Sequence, residues 1–197
     1  MSNKNQTVLV YLYGNSDSGK DEIMKTFFQK SNKDLSNVKI SDNKDEYSAT
    51  LKVKGKNVKL EVKDMGCQID YIDMLDKPPS ACVYVYNANK KSTLDQFNVH
   101  YIKDVKANFP LAIKAVVGTN CDNKNHENSG GVSENDLNEF IKETGIVPYK
   151  VNTKKVETLY NFFIEIIESV LENEDERNAR NKEVKKDGKG CFNCSIY

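Results

Sequence analysis

The chain has no net charge: in 197 residues Lys and Arg number 29, and Asp and Glu number 29. A balanced chain projects no long-range field, so nucleic acid is not expected among its partners. No stretch approaches the roughly eighteen consecutive apolar residues of a membrane-spanning helix, and no secretory apolar segment precedes the first strand. Membrane attachment, if present, must come from something other than a spanning helix. Disulfides are not indicated either, because Cys67, Cys82, Cys121, Cys191 and Cys194 are odd in number and scattered. That usage fits a reducing compartment, and the expected location is cytoplasmic. The two histidines, His100 and His126, lie far from Cys191 and Cys194 in sequence, so a metal or redox site built on that cysteine pair lacks its second half.

What is present is a glycine-rich turn, Gly14-Asn15-Ser16-Asp17-Ser18-Gly19-Lys20, between the apolar run Val8 to Tyr13 and a helix-like Asp21 to Gln29. Such a turn aims successive backbone N–H groups, the positive end of a helix dipole and a lysine ammonium at one point, which is how proteins hold phosphates. Asn15, Ser16, Asp17, Ser18, Gly19, Lys20 and Asp21 are the candidate phosphate-binding residues. The plain alternative is a strand-to-helix turn without a ligand.

Continuous apolar strands alternate with helical stretches along the rest of the chain, the pattern of an α/β fold with a mostly parallel sheet covered on both faces. Glu46 to Lys54 and Asn57 to Lys63 flank Gly55-Lys56 and predict a hairpin at the sheet edge. Buried strands are predicted at Ala81 to Tyr86 and Ile113 to Gly118, separated by a helical stretch from about Thr93 to Asn108. Ser133 and Asp136 resemble a helix cap, with the helix running to about Thr144, and a short strand follows near Tyr149 to Val151. In the last helix Val156, Leu159, Tyr160, Phe163, Ile166, Ile167, Val170 and Leu171 form a core-facing stripe. From Glu172 the composition turns charged and amide-rich, so the folded domain is expected to span residues 1–172 and a disordered tail residues 173–197.

The phosphate loop, an acidic residue after the third strand and an Asn-Cys-Asp after the fifth together resemble the Ras superfamily of small GTPases, nearest its Rab and Ras branches. The resemblance covers about Thr7 to Leu171. It implies a three-layer P-loop NTPase fold (G domain), with a six-stranded sheet carrying one antiparallel edge strand, and a GTP/GDP cycle with Mg2+ as cofactor. It further implies that Lys20 reaches the terminal phosphates, that Asp64 holds magnesium through water and that Gln68 orients the attacking water, making Lys20 and Gln68 the catalytic candidates. Ser41, placed by counting back from the third strand, is the candidate magnesium-sensing hydroxyl, with a solvated loop serine as the alternative. Asp122 matches the aspartate that reads the guanine edge, with Thr119, Asn120, Thr153 and Lys154 as its neighbours around the base.

Several positions depart from the family pattern. Asp21 stands where a magnesium-binding serine or threonine is usual, and is read either as a hard-oxygen ligand for the ion or as a charge on the helix N-terminus. Asp17 replaces a usual glycine, so two carboxylates are expected to face a polyanion. In Asp64-Met65-Gly66-Cys67-Gln68 the glycine comes one position early, and Asn120 replaces a lysine along the base plane.

The tail ends in Cys191-Phe192-Asn193-Cys194-Ser195-Ile196-Tyr197. Cys194 opens a terminal four-residue pattern resembling a prenylation box, with Tyr197 in an unusual last place. Because one lipid chain anchors marginally, Cys191 or the nearby Lys182, Lys185, Lys186 and Lys189 would have to assist. The resemblance thus implies a switch on the cytoplasmic face of a membrane, in vesicle trafficking or signalling. It would meet effectors, exchange factors and GTPase-activating proteins through its two switch segments. The alternative is a pseudo-GTPase scaffold; an ATP-dependent kinase with the same loop is disfavoured by Asp122.

Overall fold

Along the first strand, β1 (Gln6–Tyr13), Val8, Val10 and Leu12 point to one side of the sheet while Tyr11 and Tyr13 point to the other, and all five are buried. A strand buried on both faces must lie inside a sheet covered by helices. The computed structural model describes residues 6–30, 35–42, 44–66, 77–97, 105–121 and 130–187, with side chains as far as Glu174. Among these residues β1 is followed by α1 (Lys20–Lys30), β2 (Ser36–Ile40), β3 (Glu46–Val53) and β4 (Lys56–Asp64). Then come β5 (Ala81–Asn87), α2 (Lys91–Asp95), β6 (Ile113–Thr119), α3 (Glu134–Thr144), β7 (Tyr149–Lys150) and α4 (Val156–Asp187). The strands form one sheet in the order β2-β3-β4-β1-β5-β6-β7.

β1 pairs in parallel with β4 and β5, and β6 and β7 extend that parallel run. Helices α1 and α4 cover the face of Val8, Val10 and Leu12, where Phe27 and Phe163 stack 4.4 Å apart. Tyr84, Phe97 and Phe140 fill the opposite face, with Tyr84 and Phe97 4.4 Å apart and Phe97 and Phe140 4.8 Å apart. The α/β class, the hairpin, both buried inner strands and the capped helix are therefore as the sequence indicates. Ser133 accepts from the Asp136 N–H at 3.2 Å while its own N–H donates to the Asp136 carboxylate at 2.8 Å.

Three features differ from expectation. The sheet has seven strands rather than six, because Ser36–Ile40, within the polar stretch Ser31 to Asp45, pairs with β3 as an outer strand. All five of its residues are exposed, and the alternation is only the pair Val38 and Ile40, too short to mark a strand in a polar stretch. The hairpin therefore lies one strand inside the edge, and β3 is the strand that runs against all the others. The expected helix from Thr93 to Asn108 is present as α2 and a helical turn at residues 105–108, while 98–104 lie outside the described residues. Finally, α4 continues in backbone geometry to Asp187, where an unordered chain was expected from Glu172. Its Glu, Lys, Arg and Ala are strong helix formers, and the last residue it gives to the core among the described side chains is Leu171.

Candidate functional site

At the C-terminal end of β1, Gly14 adopts φ 140° and Gly19 φ 94°, conformations that side chains disfavour. A Cβ on Gly14 would stand 2.4 Å from the Val85 carbonyl oxygen, so β5 fixes where the loop leaves the sheet. A short 3-10 turn, Ser16–Ser18, lies between the two glycines, and the buried Ser18 donates its hydroxyl to the Asn15 carbonyl at 2.8 Å. Lys20 opens α1 and folds back under the loop. Its ammonium donates to the Gly14 carbonyl at 2.5 Å and the Asn15 carbonyl at 2.8 Å, with the side chain only 4% exposed. The nearest carboxylate oxygen, on Asp64, is 3.7 Å away. A buried cation met chiefly by carbonyl dipoles, at the N-terminus of a helix, leaves positive potential at the loop.

Asp64 ends β4 on the other side of this ammonium and accepts from the Gly66 N–H at 2.7 Å. The Gly66 carbonyl in turn accepts from the Gly14 N–H at 2.9 Å, stitching the two loops together. Burial pushes the Asp64 carboxyl above its ordinary range and the charge of Asp21 adds to this, against the pull of the Gly66 N–H and Lys20. A divalent cation would relieve both the burial cost and the repulsion, and Asp64 and Asp21 are the carboxylates here that could hold magnesium. The Ser41 hydroxyl is engaged elsewhere: it donates to Asp45 at 3.1 Å and accepts from the Glu46 N–H at 3.0 Å in the β2–β3 turn.

The two loop carboxylates do not stand free. The Asp17 carboxylate lies 2.6 Å from the Lys90 ammonium, whose hydrogen bond holds its pKa below the usual value. Asp21 pairs with Lys25, one turn along α1, at 3.2 Å. The Asp17 carbonyl accepts from the Asn87 side chain at 3.1 Å, and the Asn15 amide contacts Gln96. Asn87, Lys90 and Gln96 escaped the sequence reading because nothing local marks them; Asp17 and Lys90 are 73 positions apart.

Thr119 is fully buried, its hydroxyl 2.7 Å from the Ser18 carbonyl and 3.1 Å from that of Tyr86. It latches the end of β6 to the phosphate loop. Asn120 has φ 56° and donates its side-chain N–H to Asn87 at 3.2 Å. Beyond β7, Thr153 is buried and Lys154 exposed, the Lys154 N–H donating to the Asn152 side chain at 2.8 Å. The ends of β1, β4 and β6 thus bring together Lys20, Asp64 and Thr119. Cys67, Gln68, Asp122, Cys191 and Cys194 lie outside the described residues.

Among the described residues no helix is long and apolar enough to cross a membrane. Compared with known proteins, a sequence model of the Ras family matches residues 9–172, from within β1 to the end of the core-facing part of α4. No curated protein matches the chain.

Proposed function

Because the chain belongs to the Ras family, which supports a GTP-binding small GTPase, we propose that it is a slow, magnesium-dependent GTPase switch tethered to a membrane by its tail. One observation carries the reading: the buried Lys20 ammonium, held 2.5 Å and 2.8 Å from the Gly14 and Asn15 carbonyls at a strand-to-helix junction. An ammonium in that position serves a diphosphate or triphosphate, as the family's chemistry requires. Lys20 would stabilise the charge developing on the γ-phosphate and Gln68 would orient the attacking water. Asp64 and Asp21 would hold magnesium, which supplies further charge neutralisation when bound. Asp122, with Thr119, Asn120, Thr153 and Lys154 around it, would select guanine. A base lacking the matching donors would leave that carboxylate unpaired.

The rest of the proposal concerns partners and place. The segments around Ser41 and Gln68 would meet effectors, exchange factors and GTPase-activating proteins, and lipidated Cys194, helped by Cys191, would hold the chain to a cytoplasmic membrane face. Vesicle trafficking or signalling is the expected setting. A second reading, a scaffold with this fold and no turnover, is favoured by the Ser41 hydroxyl being engaged within the β2–β3 turn.

Magnesium-dependent GTP hydrolysis by the native chain and by Asp21→Ser separates the two. The switch reading expects slow turnover by the native chain that needs magnesium and drops in Gln68→Leu. If turnover is absent from the native chain and arises only in Asp21→Ser, the scaffold reading replaces it. For the tail, intact mass of the protein from a eukaryotic cell should show an isoprenoid, and an unmodified C-terminus defeats that part.

A further inference from the structure

A carboxylate in a phosphate-binding loop is a liability, and the structure shows what stands against it. The turn after β5 is tightly made: the Lys90 N–H donates to the Asn87 carbonyl at 2.9 Å, and the Thr93 hydroxyl, 2% exposed, donates to the Lys90 carbonyl at 2.7 Å. The Asn87 N–H donates back to the same Thr93 hydroxyl at 2.9 Å. The backbone of Lys90 is thereby fixed, and the Asn87 side chain donates to the Asp17 carbonyl at 3.1 Å, docking the loop on this turn. Both side chains of the pair are exposed, 62% for Asp17 and 51% for Lys90.

We propose that Lys90 is a charge-compensating residue of the phosphate site: its ammonium, 2.6 Å from the Asp17 carboxylate, cancels the loop's own negative charge so that a polyphosphate can enter. The inference rests on the nucleotide reading above and adds a residue, from a different element, that the loop sequence does not contain. An exposed pair of this kind contributes little to folding stability. Its effect on a nearby anion is of another kind, because opposite charges in contact form a dipole whose field falls off faster than that of a lone carboxylate. Asn120, uncharged and directed at Asn87, supplies no cation of its own from the β6 side. Lys90 makes up the charge balance instead.

The test is equilibrium titration of the full-length protein with GDP and GTP in the presence of magnesium, at low and high salt. The proteins compared are wild type, Lys90→Ala, Lys90→Arg, Asp17→Ser and the double variant. Lys90→Ala is expected to weaken GDP binding about tenfold at low salt and GTP binding more, because GTP carries more negative charge. The loss should shrink as salt screens the carboxylate, while Lys90→Arg keeps wild-type affinity and the melting temperature of Lys90→Ala stays that of wild type. With serine at position 17, removing Lys90 should change affinity by less than about twofold, the signature of a coupled pair. Wild-type affinity in Lys90→Ala, or an equal loss with serine at position 17, overturns the inference and leaves the nucleotide reading standing. No nucleotide binding by either wild type or Asp17→Ser overturns that reading, and this role for Lys90 with it.

Discussion

The two sides of the site are built differently. Around the phosphate loop, Lys20, Ser18 and Thr119 are buried and hydrogen-bonded to carbonyls of the loop, of β5 or of each other's elements. On the β2 side, Ser36–Ile40 is an outer strand with every residue exposed, a shifted register and Val38 and Ile40 about two-fifths open to solvent. On the proposed reading the difference separates holding from sensing. A loop that keeps an ammonium desolvated must be fixed in advance, because its interactions are strong only where water is excluded. A segment that responds to a ligand belongs at the low-stability end of the fold, held by few buried contacts.

If that contrast is right, substitutions on the two sides should differ sharply. The largest effect is expected from Lys20→Ala, which removes the buried ammonium under the loop and should lower GDP affinity at least about a hundredfold by calorimetry, near 2.7 kcal/mol. Gly14→Ala comes next. Its Cβ would meet the Val85 carbonyl oxygen at 2.4 Å from a φ of 140°, so a destabilisation of about 3 kcal/mol is expected in denaturant unfolding. Thr119→Val keeps the shape but leaves the Ser18 carbonyl without its hydroxyl donor, for about 1–2 kcal/mol in the same assay. At the small end, Val38→Thr on β2 should shift stability by no more than about 0.5 kcal/mol. A large effect there, with a small one at Thr119, would reverse the comparison.

Asp64 sharpens it through pH. Its carboxyl is held above the ordinary value by burial and by Asp21, so in the window between the ordinary and the raised value the folded chain binds a proton that the unfolded chain has released. Stability should therefore fall as pH rises through the window and recover on acidification. Asp64→Asn should flatten this dependence and raise the melting temperature slightly at neutral pH, while weakening magnesium-dependent nucleotide binding. Melting curves across acid and neutral pH, with and without magnesium, check both halves.

How much could be read from the sequence follows the same division. The phosphate loop was legible because glycine spacing, a preceding apolar strand and a following helix are local signals, and the Ser133 and Asp136 cap likewise spans only three residues. Strand β2 was not legible, since its pairing is backbone hydrogen bonding at a sheet edge and its side chains face solvent. The pairing of Asp17 with Lys90 was hidden for another reason: the partners meet only when β1 and β5 lie side by side. Sequence therefore predicted two unrelieved carboxylates where the fold supplies each with a cation. Thr119, expected beside the guanine base, is the last residue of β6, and its hydroxyl lies against the Ser18 carbonyl of the loop. Leu171 is the last core residue among the described side chains, while helix propensity carries the backbone further.

Whether the loop from Gly14 to Lys20 holds the phosphates of a guanine nucleotide is decided by calorimetric titration of the wild-type protein with GDP and with ADP in the presence of magnesium. Saturable GDP binding that ADP does not match is expected, with loss of that binding in Lys20→Ala. No uptake of GDP at millimolar concentration, or equal uptake by Lys20→Ala, would contradict that role for the loop.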